Sequence, residues 1–125
     1  DSFLQLVKKE TPSLDITLTD DPTEGVRNAS AVYTDVWASM GQEREQAERV
    51  KAFADYQVNA KLMKSAPSDA VFMHCLPAKR GEEVTYEVID GHQSVVVPQA
   101  ANRMHVQKGI LVWLLGAHCG VPLAG

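Results

Sequence analysis

A chain of 125 residues has room for one domain with a substantial core and not for two comfortable ones. Its net charge of −4, with no cluster of Lys or Arg, argues against a nucleic-acid module. Hydrophobic residues at 45% and charged residues at 22% are ordinary for a soluble globular fold. Cys75 and Cys119 build no disulfide framework and fit a reducing compartment. The longest apolar stretch, Gly109 to Ala117, is too short for a bilayer span of about 20 residues, and no basic start followed by an apolar run marks a signal peptide.

Along the chain, Phe3, Leu4, Leu6 and Val7 give residues Asp1 to Lys9 one apolar side, which predicts a helix. That helix opens without a cap, so the chain is expected to begin inside something larger. Asp15 to Leu18 reads as a short strand. Asp21-Pro22-Thr23-Glu24 has Asp at an N-cap and Pro at the first helical position, opening a brief helix that ends near Asn28. Ala31 to Thr34 is the next strand. After a Ser39-Met40-Gly41 loop, Gln42 to Tyr56 reads as a charged amphipathic helix with Ala47, Val50 and Phe53 at helical spacing. Asn59 caps a further short helix through Lys64. Ala70 to Met73 is a strand, and Thr85 to Asp90 a helix stopped by Gly91. Ser94 to Val97 reads as the last strand, and a helix runs from Ala100 to Gly116. Strands alternating with helices give an α/β fold, a three-layer open parallel sheet with helices on both faces (a truncated doubly wound domain).

Three of these strands end in residues able to do chemistry. Val71-Phe72-Met73 runs into His74-Cys75-Leu76-Pro77, Ala31 to Thr34 ends at Asp35, and Ser94 to Val97 ends in Pro98-Gln99 shortly before Asn102-Arg103. Ligands of open α/β sheets bind beyond the carboxyl ends of strands. At such a position a thiol can serve as nucleophile, base or hydrogen-bond partner, although cysteine is also a common small core residue. Asp35 suits a substrate ammonium, or equally a cap for the local backbone. Pro77 stiffens its turn and leaves the Leu76 carbonyl available to an amide-like NH2 group. In the first turn of the final helix, Arg103 can donate two hydrogen bonds to a carbonyl or phosphate oxygen. His74 taken alone reads as structural. No His or Cys spacing indicates a metal, and no glycine-rich nucleotide motif occurs.

Taken together, Tyr33-Thr34-Asp35-Val36-Trp37-x-Ser39-Met40-Gly41, His74-Cys75-Leu76-Pro77-Ala78 and Asn102-Arg103-Met104-His105 closely resemble ornithine carbamoyltransferases in order and spacing. Gly81-Glu82-Glu83-Val84-Thr85 through Gly91 is similar to the same family. The resemblance covers most of the chain. It implies transfer of a carbamoyl group from carbamoyl phosphate to the δ-amine of ornithine, giving citrulline and phosphate, in arginine metabolism. By that likeness Asp35, Ser39 and Met40 hold the amino acid, with His74, Cys75, Leu76 and Pro77 lining the substrate site. Asp35 and Cys75 lie near the reacting amine, with Cys75 the family's usual proton acceptor, and Leu76 and Arg103 orient the carbamoyl group. It further implies no metal or organic cofactor, no nucleic-acid or membrane partner, and a homotrimer or a multiple of trimers for the intact enzyme. A cytoplasmic location follows, or a mitochondrial one if a leader preceded the chain.

The chain also departs from the family. Neither its phosphate-binding Ser-Thr-Arg-Thr-Arg segment nor its Gly-Asp-Gly-Asn-Asn-type strand end occurs here, and Ala101 stands where many members carry Glu. Residues 1–125 are therefore expected to be part of the carboxyl-terminal, ornithine-binding domain, without the carbamoyl-phosphate domain and inactive alone. The nearly all-apolar final helix would pack on that other domain. Two alternatives stay open: a stand-alone amino-acid-binding or interaction module derived from such an enzyme, or a carbamoyltransferase for another amine such as putrescine or an N-acylornithine.

Overall fold

The computed structural model describes residues 2–38, 41 and 45–119. Six α-helices and two strands follow one another as α1 (Ser2–Glu10), α2 (Pro22–Val26), β1 (Ala31–Thr34), α3 (Gln46–Phe53), α4 (Ala60–Met63), β2 (Val71–His74), α5 (Tyr86–Ile89) and α6 (Val96–Cys119), with a 3-10 turn at Ala54–Tyr56 after α3. The α/β expectation is borne out. β1 and β2 pair in parallel, Ala31 opposite Val71 and Thr34 opposite His74, across a crossover that contains α3 and α4.

The two short helices start where the sequence places them. Asp21 accepts the Thr23 N–H at 2.8 Å, and Asn59 accepts the Leu62 N–H at 3.0 Å. Each side chain satisfies an amide that has no partner within its own helix.

Two strand expectations are corrected. Asp15 to Leu18 forms no strand; Leu18 is exposed, and a four-residue run cannot hold an extended ladder without a neighbour to pair with. Ser94 to Val97 is a strand only in its first contact. Phe72 donates to the Gln93 carbonyl at 2.8 Å and Val95 donates to the Phe72 carbonyl at 2.9 Å, giving a single parallel bridge at Ser94. Helix α6 then begins at Val96. Pro98 lies in its first turn, where a missing N–H costs nothing, and Gln99 N–H closes on the Val95 carbonyl at 2.9 Å. The valine run suggested a strand, and helix geometry took over after one β bridge. The sheet therefore has two strands with a one-residue third position. The helix expected over Gln42 to Tyr56 is described from Gln46 onward, and its earlier part lies outside the described residues.

Alternation along the strands sorts the side chains. Val32 and Phe72 point into a core shared with Val26 (α2), Val58, Leu62 and Met63 (α4), Val84, Val88 and Ile89 (α5), and Val96. Tyr33, Met73 and, just beyond the strand ends, Asp35 and Cys75 fall on the other face. That face carries the candidate site.

Candidate functional site at the carboxyl end of the sheet

Asp35 and Cys75 occupy equivalent positions, one residue past β1 and one past β2. The parallel register with Thr34 opposite His74 sets them side by side, and the Cys75 thiol donates to Asp35 Oδ1 at 3.0 Å. The Val36 N–H reaches the same oxygen at 2.7 Å. These two donors, the thiol first, hold the Asp35 carboxyl below its ordinary value of 3.8. The same bond acts oppositely on sulfur. A neighbouring carboxylate disfavours a thiolate, and partial burial adds to this, so the Cys75 thiol is pushed up from its ordinary 9.0. Of the two, then, the acid carries the charge and the sulfur keeps its proton.

His74 turns the other way, into the core. Its ring is buried, and Nδ1 accepts the Leu76 N–H at 2.8 Å. An accepting Nδ1 must present a lone pair, which leaves the ring proton on Nε2, aimed at Oε1 of the fully buried Glu83 at 3.2 Å. The same Glu83 oxygen accepts the Lys79 N–H at 2.6 Å. The result is a rivet under the turn: Glu83 holds His74, and His74 holds the Leu76 amide. Leu76 has a φ of 55°, a conformation that costs a non-glycine residue roughly 1 kcal/mol or more and needs such support. The turn continues through a cis Leu76-Pro77 peptide.

Arg103 does not lie in a first helical turn as expected, because α6 starts four residues earlier than the sequence indicated. Two turns in, it lines a groove of about 510 Å³ together with Met73, Val95, Pro98, Gln99 and Asn102. Met73 is the link between the groove and the acid–thiol pair, since it sits two residues before Cys75 on the same face of β2. Asp35 and Cys75 thus sit together at the carboxyl rim of the sheet, and the groove that Arg103 lines adjoins their face through Met73. Ser39 and Met40, expected at the ligand, lie outside the described residues.

Three participants were not assigned from sequence. Gln99 accepts the His74 N–H through Oε1 at 3.0 Å and tethers α6 to the end of β2. Tyr33, two residues before Asp35 and so on its face, has its phenol pushed up from the ordinary 10.0, chiefly by Cys75. Period-two spacing from Asp35 was the available signal for Tyr33, and one helical turn back from Arg103 was the signal for Gln99. Glu83 gave no such signal, since only the folded turn brings it to His74.

One donor atom each from Asp35, His74 and Cys75 falls within 4.8 Å of the others. Both nitrogens of His74 are engaged, by Leu76 N–H and by Glu83, so this cluster is a hydrogen-bonded one with no free imidazole lone pair for a cation.

An acid and a thiol thus lie at the carboxyl rim of a parallel sheet in an α/β fold, the rim at which ligands of open α/β sheets bind. Residues 2–114 match the family described as aspartate/ornithine carbamoyltransferase, Asp/Orn binding domain, and the chain belongs to that family. It is 58% identical over 113 residues to an ornithine carbamoyltransferase from Carboxydothermus hydrogenoformans, an alignment covering 89% of this chain and 36% of the relative. Among solved structures, the ornithine carbamoyltransferase of Pyrococcus furiosus is similar with a TM-score of 0.69 and 59% identity, over 74% of this chain and 29% of that one. The anabolic ornithine carbamoyltransferase of Campylobacter jejuni superposes with a TM-score of 0.86 at 34% identity, over 93% of this chain and 39% of that one. The chain spans about a third of the length of the relatives it matches.

Proposed function

We propose that this chain is the amino-acid-binding part of an enzyme that transfers the carbamoyl group of carbamoyl phosphate to the δ-amine of ornithine, in arginine metabolism. The observation that carries the reading is the Asp35–Cys75 pair, bonded at 3.0 Å on the face that also bears the Arg103 groove. Its relatives' names support ornithine as the acceptor. Asp35, held ionised, attracts the δ-ammonium, and Ser39 and Met40 complete the amino-acid side of the site. For attack on the carbamoyl carbon the nitrogen must shed a proton. The bond from nitrogen to carbon then forms as the bond from carbon to the phosphate oxygen breaks, and phosphate leaves with the electron pair. Cys75 is the acceptor for the amine's proton, and it can act so only after releasing its own to the solvent that reaches it. A cation seated beside it favours that release. Arg103 donates to the carbamoyl oxygen as charge builds there, and the Leu76 carbonyl, in the turn with His74 and Pro77, accepts from the carbamoyl NH2.

The phosphate end of the donor has no Ser-Thr-Arg-Thr-Arg segment to bind it in these 125 residues. The chain alone is therefore proposed to be inactive, with activity belonging to a longer, trimeric, cytoplasmic protein that adds such a segment. The test is citrulline formation. The purified chain should yield none above buffer, and a protein joining it to a carbamoyl-phosphate domain should yield it readily. In that protein Asp35→Asn should lower kcat/KM by about 10²-fold or more. An Asp35→Asn enzyme of undiminished kcat/KM would sink this reading.

A further inference from the structure

The two groups that the reading above sets against the carbamoyl group stand on different elements. The Leu76 carbonyl belongs to the turn after β2, and the Arg103 guanidinium belongs to α6. A carbamoyl group is flat, and its accepting oxygen and donating NH2 are held at one fixed spacing. A donor and an acceptor that meet it together need a spacing to match. A misplacement of about 1 Å can cost about 10²-fold in rate.

The tie between turn and helix is a single side chain. Gln99 stands four residues before Arg103 on α6, about one turn or about 6 Å of rise away. Its Oε1 accepts the His74 N–H at 3.0 Å. Among the described residues no other hydrogen bond joins residues 96–103 to β2 or to the turn after it. His74 passes the hold onward. Nδ1 of its ring accepts the Leu76 N–H at 2.8 Å, while Glu83 fixes the ring at 3.2 Å. That ring and Glu83 are buried, which keeps water from competing for these bonds.

We propose that Gln99 is a positioning residue of this site: its side-chain oxygen, bonded to the His74 N–H, sets the separation between the Leu76 carbonyl and the Arg103 guanidinium. The inference rests on the carbamoyl-transfer reading and goes beyond it by naming what holds the two grips in place. It also says which substrate feels the loss of the tether. The amine is assigned to Asp35 at the end of β1, whereas the tether spans β2 and α6. The carbamoyl donor, and not ornithine, should therefore register its removal.

The experiment uses the protein that joins this chain to a carbamoyl-phosphate domain. Gln99→Met keeps the length and helix propensity of the side chain but offers no oxygen. It should lower kcat by about 10²-fold and raise KM for carbamoyl phosphate, with KM for ornithine held within about twofold. Gln99→Glu keeps an acceptor oxygen and should give back most of the lost rate, to within about threefold of the unsubstituted protein. Hydrogen exchange of residues 72–78, read by mass spectrometry on the same proteins, follows the tether without substrate. It should quicken by about fivefold in Gln99→Met and stay slow in Gln99→Glu. A merely structural role would raise both KM values together. Undiminished kcat in Gln99→Met overturns the inference, as does a Gln99→Glu enzyme no better than Gln99→Met. Should Gln99→Met not fold, Gln99→Asn, its oxygen drawn back by one methylene, carries the same test: the same split supports the inference and unaltered kinetics overturn it. Failure of the unsubstituted protein to form citrulline would sink the carbamoyl reading and this inference with it. Citrulline formed equally by that protein and by Gln99→Met would sink the inference alone.

Discussion

Single atoms decide the chemistry of this domain. Asp35 takes two donors on one oxygen, and its carboxyl titrates below the ordinary value of 3.8. A depressed folded value means that the ionised form is favoured by the fold. Its contribution is complete above the unfolded carboxylate range and fades as pH falls through the lowered folded value. The group is exposed, so the carboxyl carbon shift in an NMR titration is the proper readout rather than stability. The midpoint should lie below that of a free aspartate, and Cys75→Ala should return it part of the way upward. Glu83 is the residue with most to lose. Glu83→Ala leaves a buried imidazole N–H and the Lys79 N–H without partners, which should cost about 2–4 kcal/mol in urea unfolding. Glu83→Gln, which keeps an oxygen for both, should cost less. The acid and the thiol were legible in the sequence because each follows a strand directly. The tether from Glu83 was not, since its bond to His74 forms only once the turn between them has folded.

The elements form where local chemistry and packing agree, and the sequence was readable to the same degree. Asp21 and Asn59 announced their helices by capping chemistry, and both caps are made. Asn59→Ala should destabilise the chain by about 1 kcal/mol, read as a lowered urea midpoint. Gly91 ends α5 for a steric reason: an added Cβ would come within 2.5 Å of the Glu87 carbonyl oxygen. Gly91→Ala should therefore cost about 1–3 kcal/mol, whereas the same change at the open, mid-helical Gly109 should stabilise by about 0.5–1 kcal/mol. The misreading at Ser94 to Val97 shows where pattern alone fails. Three valines carry β propensity, but only the first makes a sheet contact before Pro98 and Gln99 enter a helical turn. An extended segment can be replaced by a helix when one bridge is enough to dock it.

At the scale of the whole molecule, the core lies on one face of a two-stranded sheet, and much apolar surface stays outside it. Ile110, Leu111, Val112, Trp113, Leu114 and Leu115 are all between 46% and 62% exposed. A contiguous patch of that kind drives association in water. Sedimentation of the purified chain should show mass rising with concentration, and Leu111→Glu with Trp113→Glu together should suppress that rise. The long helix also ties two ends of the molecule together. It is unbroken from Val96 to Cys119, so whatever shelters its greasy far half grips the same rod that carries Arg103, about 10–18 Å away. A stiff rod transmits tilt with little loss, so any cover placed over that distant stretch also sets the angle at which the guanidinium enters its groove.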